Sequence, residues 1–228
     1  MRVQMTGGVL AAMLIAGSAQ AVPLSFTKLD GVTGGDIANT AVFKADLSTI
    51  DGIIASIIIR DSGLPSGSSP GQFSGFDLDA IKISATDCAT AACAAAAAGL
   101  DVFSFLGSSV VFTPGTQAAP ADPKLFGTNA AGTGLDNGVA TLGAFDGESS
   151  TVTPDGFISL GDNGVIAFNL TSAISGLGYF LYIGEVGDNG EVAASDIQVL
   201  PTRVPEPGML GLLGIGIAGF GLMRRRAA

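Results

Sequence analysis

Seven Asp-Gly or Asn-Gly dipeptides divide the middle of this chain: Asp30-Gly31, Asp51-Gly52, Asn137-Gly138, Asp146-Gly147, Asp155-Gly156, Asn163-Gly164 and Asn189-Gly190. Each tolerates the positive φ of a tight turn, so their recurrence predicts hairpins. Runs rich in Val, Ile, Phe and Thr lie between and beside them, and these predict strands over 23–29, 40–47, 53–60, 76–83, 101–106 and 109–113. Later strands are predicted over 157–160, 164–170, 178–184 and 191–200. Many short strands punctuated in this way predict an all-β fold, an antiparallel β-sandwich or jelly-roll-like domain.

One stretch departs from that pattern. The alanine run over 89–99 predicts a short helix, too short to stand without packing or a covalent tie. Cys88 and Cys93, the two cysteines of the chain, flank part of it. In an exported protein they predict one local disulfide, and their spacing fits neither a redox nor a zinc motif. Residues 61–75 read as a long loop. No internal repeat is visible, so the body, 22–203, is expected to be one domain.

The body is expected to be exported. Arg2 precedes an apolar run over 8–16, and small residues at Ala19 and Ala21 then form a signal-peptidase site. Residues 1–21 are therefore read as a signal peptide that engages the Sec machinery and is cut after Ala21. All of the 20 acids but Glu206 lie in the body, while Arg2 and Arg224–Arg226 lie outside it; this leaves 19 acids against six bases, a charge near −13. Such a surface repels phosphate backbones, so no nucleic-acid partner is expected. The absence of histidine removes Ser-His-Asp and Cys-His catalysis and nearly all zinc or haem ligation.

Within the body, Asp77 and Asp79 alternate with Phe76, Leu78 and Ala80, so a regular strand would point both carboxylates to one face. Two readings follow. With Asp61 from the preceding loop they form a calcium site of hard oxygen ligands, or they are a solvated pair on the outer face of a strand. Residues 160–164 and 187–191 also offer acid-bearing metal loops, but each reads first as a plain hairpin turn. A glycosidase would need a carboxylate pair and a sugar-stacking groove. The chain has no Trp and two Tyr to build one, and its 13 Phe are better explained as core.

The tail is of another kind. Pro205 and Pro207 hold the chain extended around Glu206, and residues 208–223 carry no charge. As a helix, that run would reach about 24 Å, short of a hydrocarbon core of about 30 Å. Arg224, Arg225 and Arg226 then form a stop-transfer cluster that would stay in the cytoplasm. Val204-Pro205-Glu206-Pro207, the Gly/Leu span and the arginines, together 204–228, resemble the PEP-CTERM sorting domain of exopolysaccharide-producing Gram-negative bacteria. The resemblance implies that exosortase, a membrane protease-transpeptidase, recognises the Pro-Glu-Pro motif and processes the chain near it. It further implies transient insertion in the inner membrane through 208–223, then passage to the cell surface, outer membrane or extracellular matrix. The expected role is structural or adhesive and not enzymatic, with Ca²⁺ as a structural ion and exopolysaccharide as a partner. Two alternatives are a permanently membrane-anchored surface protein and a surface hydrolase that uses carboxylates alone.

Overall fold

The computed structural model describes residues 20–35, 39–63, 69–150, 152–191 and 193–200. Its strands are β1 (Gln20–Leu24), β2 (Thr27–Thr33), β3 (Thr40–Asp46), β4 (Ile53–Asp61) and β5 (Asp77–Ser84). After a helix, α1 (Ala91–Ala96), come β6 (Val110–Thr113), β7 (Ile158–Ser159), β8 (Val165–Ser175), β9 (Phe180–Val186) and β10 (Ala193–Leu200). They form two five-stranded sheets, ordered β1-β10-β4-β8-β6 and β2-β3-β9-β5-β7. All pairings between these strands are antiparallel, so the chain is all-β with one short helix.

The two sheets bury their apolar faces in one cluster. Ile54, Ile57 and Ile59 of β4, with Ile166 and Phe168 of β8, meet Leu78, Ile81 and Ile83 of β5 and Leu181 and Ile183 of β9. Between Ile54 and Ser56 the β4–β8 register shifts, which lets Ile54 and Ile57 both enter the cluster despite their odd spacing. A second, smaller cluster joins Leu29, Val42, Ala80 and Tyr182 to Cys88, Ala91 and Ala94 of the helical region.

The predicted disulfide is present, Cys88–Cys93 with an S–S distance of 2.07 Å. Thr90 caps α1 by accepting the Cys93 amide, and the Lys82 ammonium closes its other end by donating to the carbonyls of Ala94, Ala95 and Ala97. A six-residue helix is too short to be stable alone, so the caps, the disulfide and the second cluster hold it.

Three expectations need correction. The predicted strand 23–29 is two strands, because the chain leaves one sheet after Leu24 and enters the other at Thr27. The predicted strand 101–106 is not a strand. Phe103 and Phe105 instead lie parallel to each other and edge-on to Phe168, anchoring an irregular segment over the core. Nor do the Asp-Gly and Asn-Gly dipeptides make hairpins between sheet neighbours. Among consecutive strands only β2 and β3 are neighbours; every other connection crosses to the opposite sheet. Asp30-Gly31 sits inside β2 at a register shift, and three dipeptides lie in the 44-residue irregular stretch from Pro114 to Phe157. A dipeptide that favours positive φ encodes a local bend, and it does not encode which sheet the next strand joins.

Candidate functional site

The three aspartates considered together as calcium ligands have separate surroundings. Asp61, at the end of β4, is buried and already engaged. Its Oδ1 accepts the amides of Gly63 (2.8 Å) and Asn163 (2.9 Å), and its Oδ2 accepts the amide of Phe76 (3.1 Å). One carboxylate thus fastens the start of the long loop, the entry to β5 and the β7–β8 turn.

Asp79 does the same work elsewhere. Its oxygens accept from the Thr40 hydroxyl (2.8 Å) and from the amides of Gly147 (2.8 Å) and Asp146 (3.3 Å). Residue 147 must be glycine for this approach, since a Cβ there would sit 2.5 Å from Val186 and 2.8 Å from Asp79 Oδ1. Burial pushes the Asp79 carboxyl up to about 7, against the hydrogen bonds that favour its ionised form.

Asp77 does not share that environment. The register of β5 against β9 shifts between Leu78 and Ile81, so strict alternation fails there: Leu78 and Ile81 belong to the main cluster and Ala80 to the second. The expected solvated pair is therefore corrected: Asp77 and Asp79 are both buried, 5% and 0% exposed. Among the described residues, no three His, Cys, Asp or Glu side chains are gathered around one point as a metal set.

Asp77 has different company. Opposite it in the register is Ser159 of β7, and Glu185 of β9 stands opposite its neighbour Leu78. Glu191 follows the β9–β10 turn, where its amide is held by Asn189 Oδ1 (3.1 Å). Ser159, Glu185 and Glu191 are 0%, 1% and 4% exposed. Burial first, and then the Glu191 carboxylate, hold Asp77 well above the usual carboxylate range. Glu185 is pushed up to about 9 by burial and then by Glu191 and Asp188. Glu191 is pushed up to about 8, chiefly by burial, with Asp61 and Asp162 adding repulsion. Asp77 Oδ1, Glu185 Oε1, both Glu191 carboxylate oxygens and Ser159 Oγ make no hydrogen bond of ordinary geometry, although the Ser159 hydroxyl beside Asp77, and the Asn189 side chain and Asp77 amide beside Glu191, favour the ionised carboxylates.

Sequence reasoning passed over Glu185. Glu185 could have been noticed, because it follows Leu181 and Ile183 at the period of one strand face, in an otherwise apolar run. Glu191 ends the 187–191 stretch, where the sequence offers a metal loop but favours a hairpin turn.

On the surface, two adjoining grooves share Phe105 and Gly143. One, of about 430 Å³, is also lined by Lys82, Asp101 and Phe103. The other, of about 440 Å³, is lined by Leu106, Asn137 and Thr141 among others.

Of the export signals, Ala21 is an exposed residue of β1. Ala19, the Val204–Pro207 motif, the span 208–223 and Arg224–Arg226 lie outside the described residues. Among the described residues, no helix is long and apolar enough to cross a membrane. The family model of the PEP-CTERM protein-sorting motif matches residues 203–226. The chain carries a PEP-CTERM sorting motif. Such a motif marks an exported protein targeted to exosortase and sorted toward the surface. Comparison with curated proteins gives no match, and comparison with solved structures gives none either.

Proposed function

We propose that this protein is a non-enzymatic passenger of the exosortase route, with a structural or adhesive role at the cell surface or in the extracellular matrix. The observation that carries the reading is the motif match over 203–226, placed directly after the last strand of an all-β domain. In this reading the Sec machinery exports the chain, signal peptidase cuts after Ala21, and residues 208–223 hold the product in the inner membrane until exosortase acts near Pro205–Pro207. An anionic exopolysaccharide is the proposed matrix partner. Against a carboxylate hydrolase stands the poverty of the two grooves, whose linings include a single acid, Asp101.

The strand order supports a jelly-roll sandwich for the passenger. Without the edge strands β2 and β6, the eight remaining strands, numbered in chain order, run 1-8-3-6 in one sheet and 2-7-4-5 in the other. That is the order of two Greek keys wound together. An architecture in which nearly every connection crosses between sheets suits a durable surface module, because its pairings are almost all long-range.

The reading is tested in the host by Glu206→Ala within the motif. The variant is expected to accumulate as uncut precursor in the inner membrane. Normal processing of the variant would contradict recognition through this motif.

A further inference from the structure

Asp77, Ser159, Glu185 and Glu191 come from four separate pieces of chain: the start of β5, the end of β7, β9, and the turn before β10. Each is at least nine-tenths buried, and together they present five oxygen atoms that make no hydrogen bond of ordinary geometry. Burying a polar oxygen unpaired is costly, and burying carboxylates beside one another costs more. Glu191 raises the cost of charge on both Asp77 and Glu185, and Asp61 and Asp162 press on Glu191 in turn. Lys28 acts on the group through Glu185 while paired with Asp188. Buried carboxylates from separate segments brought this near one another are furnished for a cation.

We propose that Asp77, Glu185, Glu191 and the Ser159 hydroxyl form a calcium site, with Asp77 and Glu191 as its principal carboxylate ligands. The donors are all hard oxygens. The chain has no histidine, both cysteines are tied in the disulfide, and none of the five methionines lies among the described residues, so the group itself offers no soft ligand for zinc or copper. Donors drawn from four segments suit the irregular, high coordination of Ca²⁺ better than the strict octahedron of Mg²⁺. Binding would require these side chains to turn toward one point, since among the described residues no three carboxylates are gathered around one. Glu191 is placed for this, following a turn in which Gly187, Asp188 and Gly190 all take positive φ. Asp61 and Asp79 are excluded as principal ligands because backbone amides already occupy them.

The test is calorimetric titration of the full chain, in detergent and freed of metal by chelation, with CaCl₂ and separately with MgCl₂. The expected result is saturable calcium binding at one site, with magnesium weaker by about tenfold or more. Asp77→Asn/Glu191→Gln should weaken calcium binding by about tenfold or more, whereas Asp51→Asn, in an exposed turn, should leave it unchanged. If the double variant fails to fold, Glu191→Gln alone carries the test and should show the same loss. Absence of saturable calcium binding, equal binding by the variants and the parent, or loss in Asp51→Asn would each overturn the proposal.

Discussion

Replacing Asp61 with alanine removes the acceptor for three backbone amides at one stroke. The Phe76 amide is buried, and leaving it unpaired costs about 1–3 kcal/mol. The amides of Gly63 and Asn163 are partly buried, so water can replace the lost bond in part, and each adds about 0.5–1 kcal/mol. The total is about 3 kcal/mol, equivalent to a fall in Tm of about 6–12 °C for a chain of this size. Asp61→Asn keeps one carbonyl acceptor and should fall between the parent and the alanine variant. Thermal unfolding of the full chain, followed by far-ultraviolet circular dichroism, measures all three. The melts are run both in chelator and in calcium, because an anchor of backbone amides matters equally in the two, whereas a metal ligand matters only with the ion. An alanine variant melting within about 2 °C of the parent would refute the reasoning, since three buried or half-buried amides cannot lose their acceptor at so little cost. So would a loss confined to calcium.

Two further outcomes follow from the same structure. Asp77, Asp79, Glu185 and Glu191 keep their protons to higher pH in the folded domain than in the unfolded chain, whose carboxylates titrate near pH 4. The folded state therefore binds more protons across the interval between, and its stability falls as pH rises. In chelator, Tm should decline from about pH 5, just above the unfolded-state values, and level off by about pH 9 as the folded-state values near 7, 8 and 9 are passed in turn; a flat profile would mean that the carboxyls are not buried as described. Cys88→Ser/Cys93→Ser opens a loop of six residues, counting both cysteines, and should cost about 2 kcal/mol, or about 4–8 °C in Tm. Unchanged melting would show that the second cluster and the caps hold α1 without the disulfide.

The β class was legible because it is written locally. IIASIIIR and GYFLYIG are β-branched and aromatic whatever surrounds them, and β4 and β9 appear close to where those runs lie. The helix was legible for the same reason, as an alanine run beside two cysteines. Topology was not, because the steps from β3 to β4 and from β9 to β10 cross between sheets, a choice made by the packing of distant faces. The carboxylates show the same limit. Asp77 and Asp79 look like an alternating pair until a register shift separates them, and that shift depends on β9, about a hundred residues later. Asp61 looked like a ligand because its partners are amides, which every residue but proline carries and no sequence pattern marks. The sorting signal lies at the other extreme: its motif, span and arginines follow one another along the chain and require no folding to be recognised.

The sorting claim is tested most directly by the intact mass of the mature protein from its own host, with and without exosortase. The account predicts a chain that begins at Val22 and lacks the segment after the Pro-Glu-Pro motif only when the enzyme is present. A mass that still includes residues 208–228 in both strains would contradict it, and would make the tail a lasting anchor.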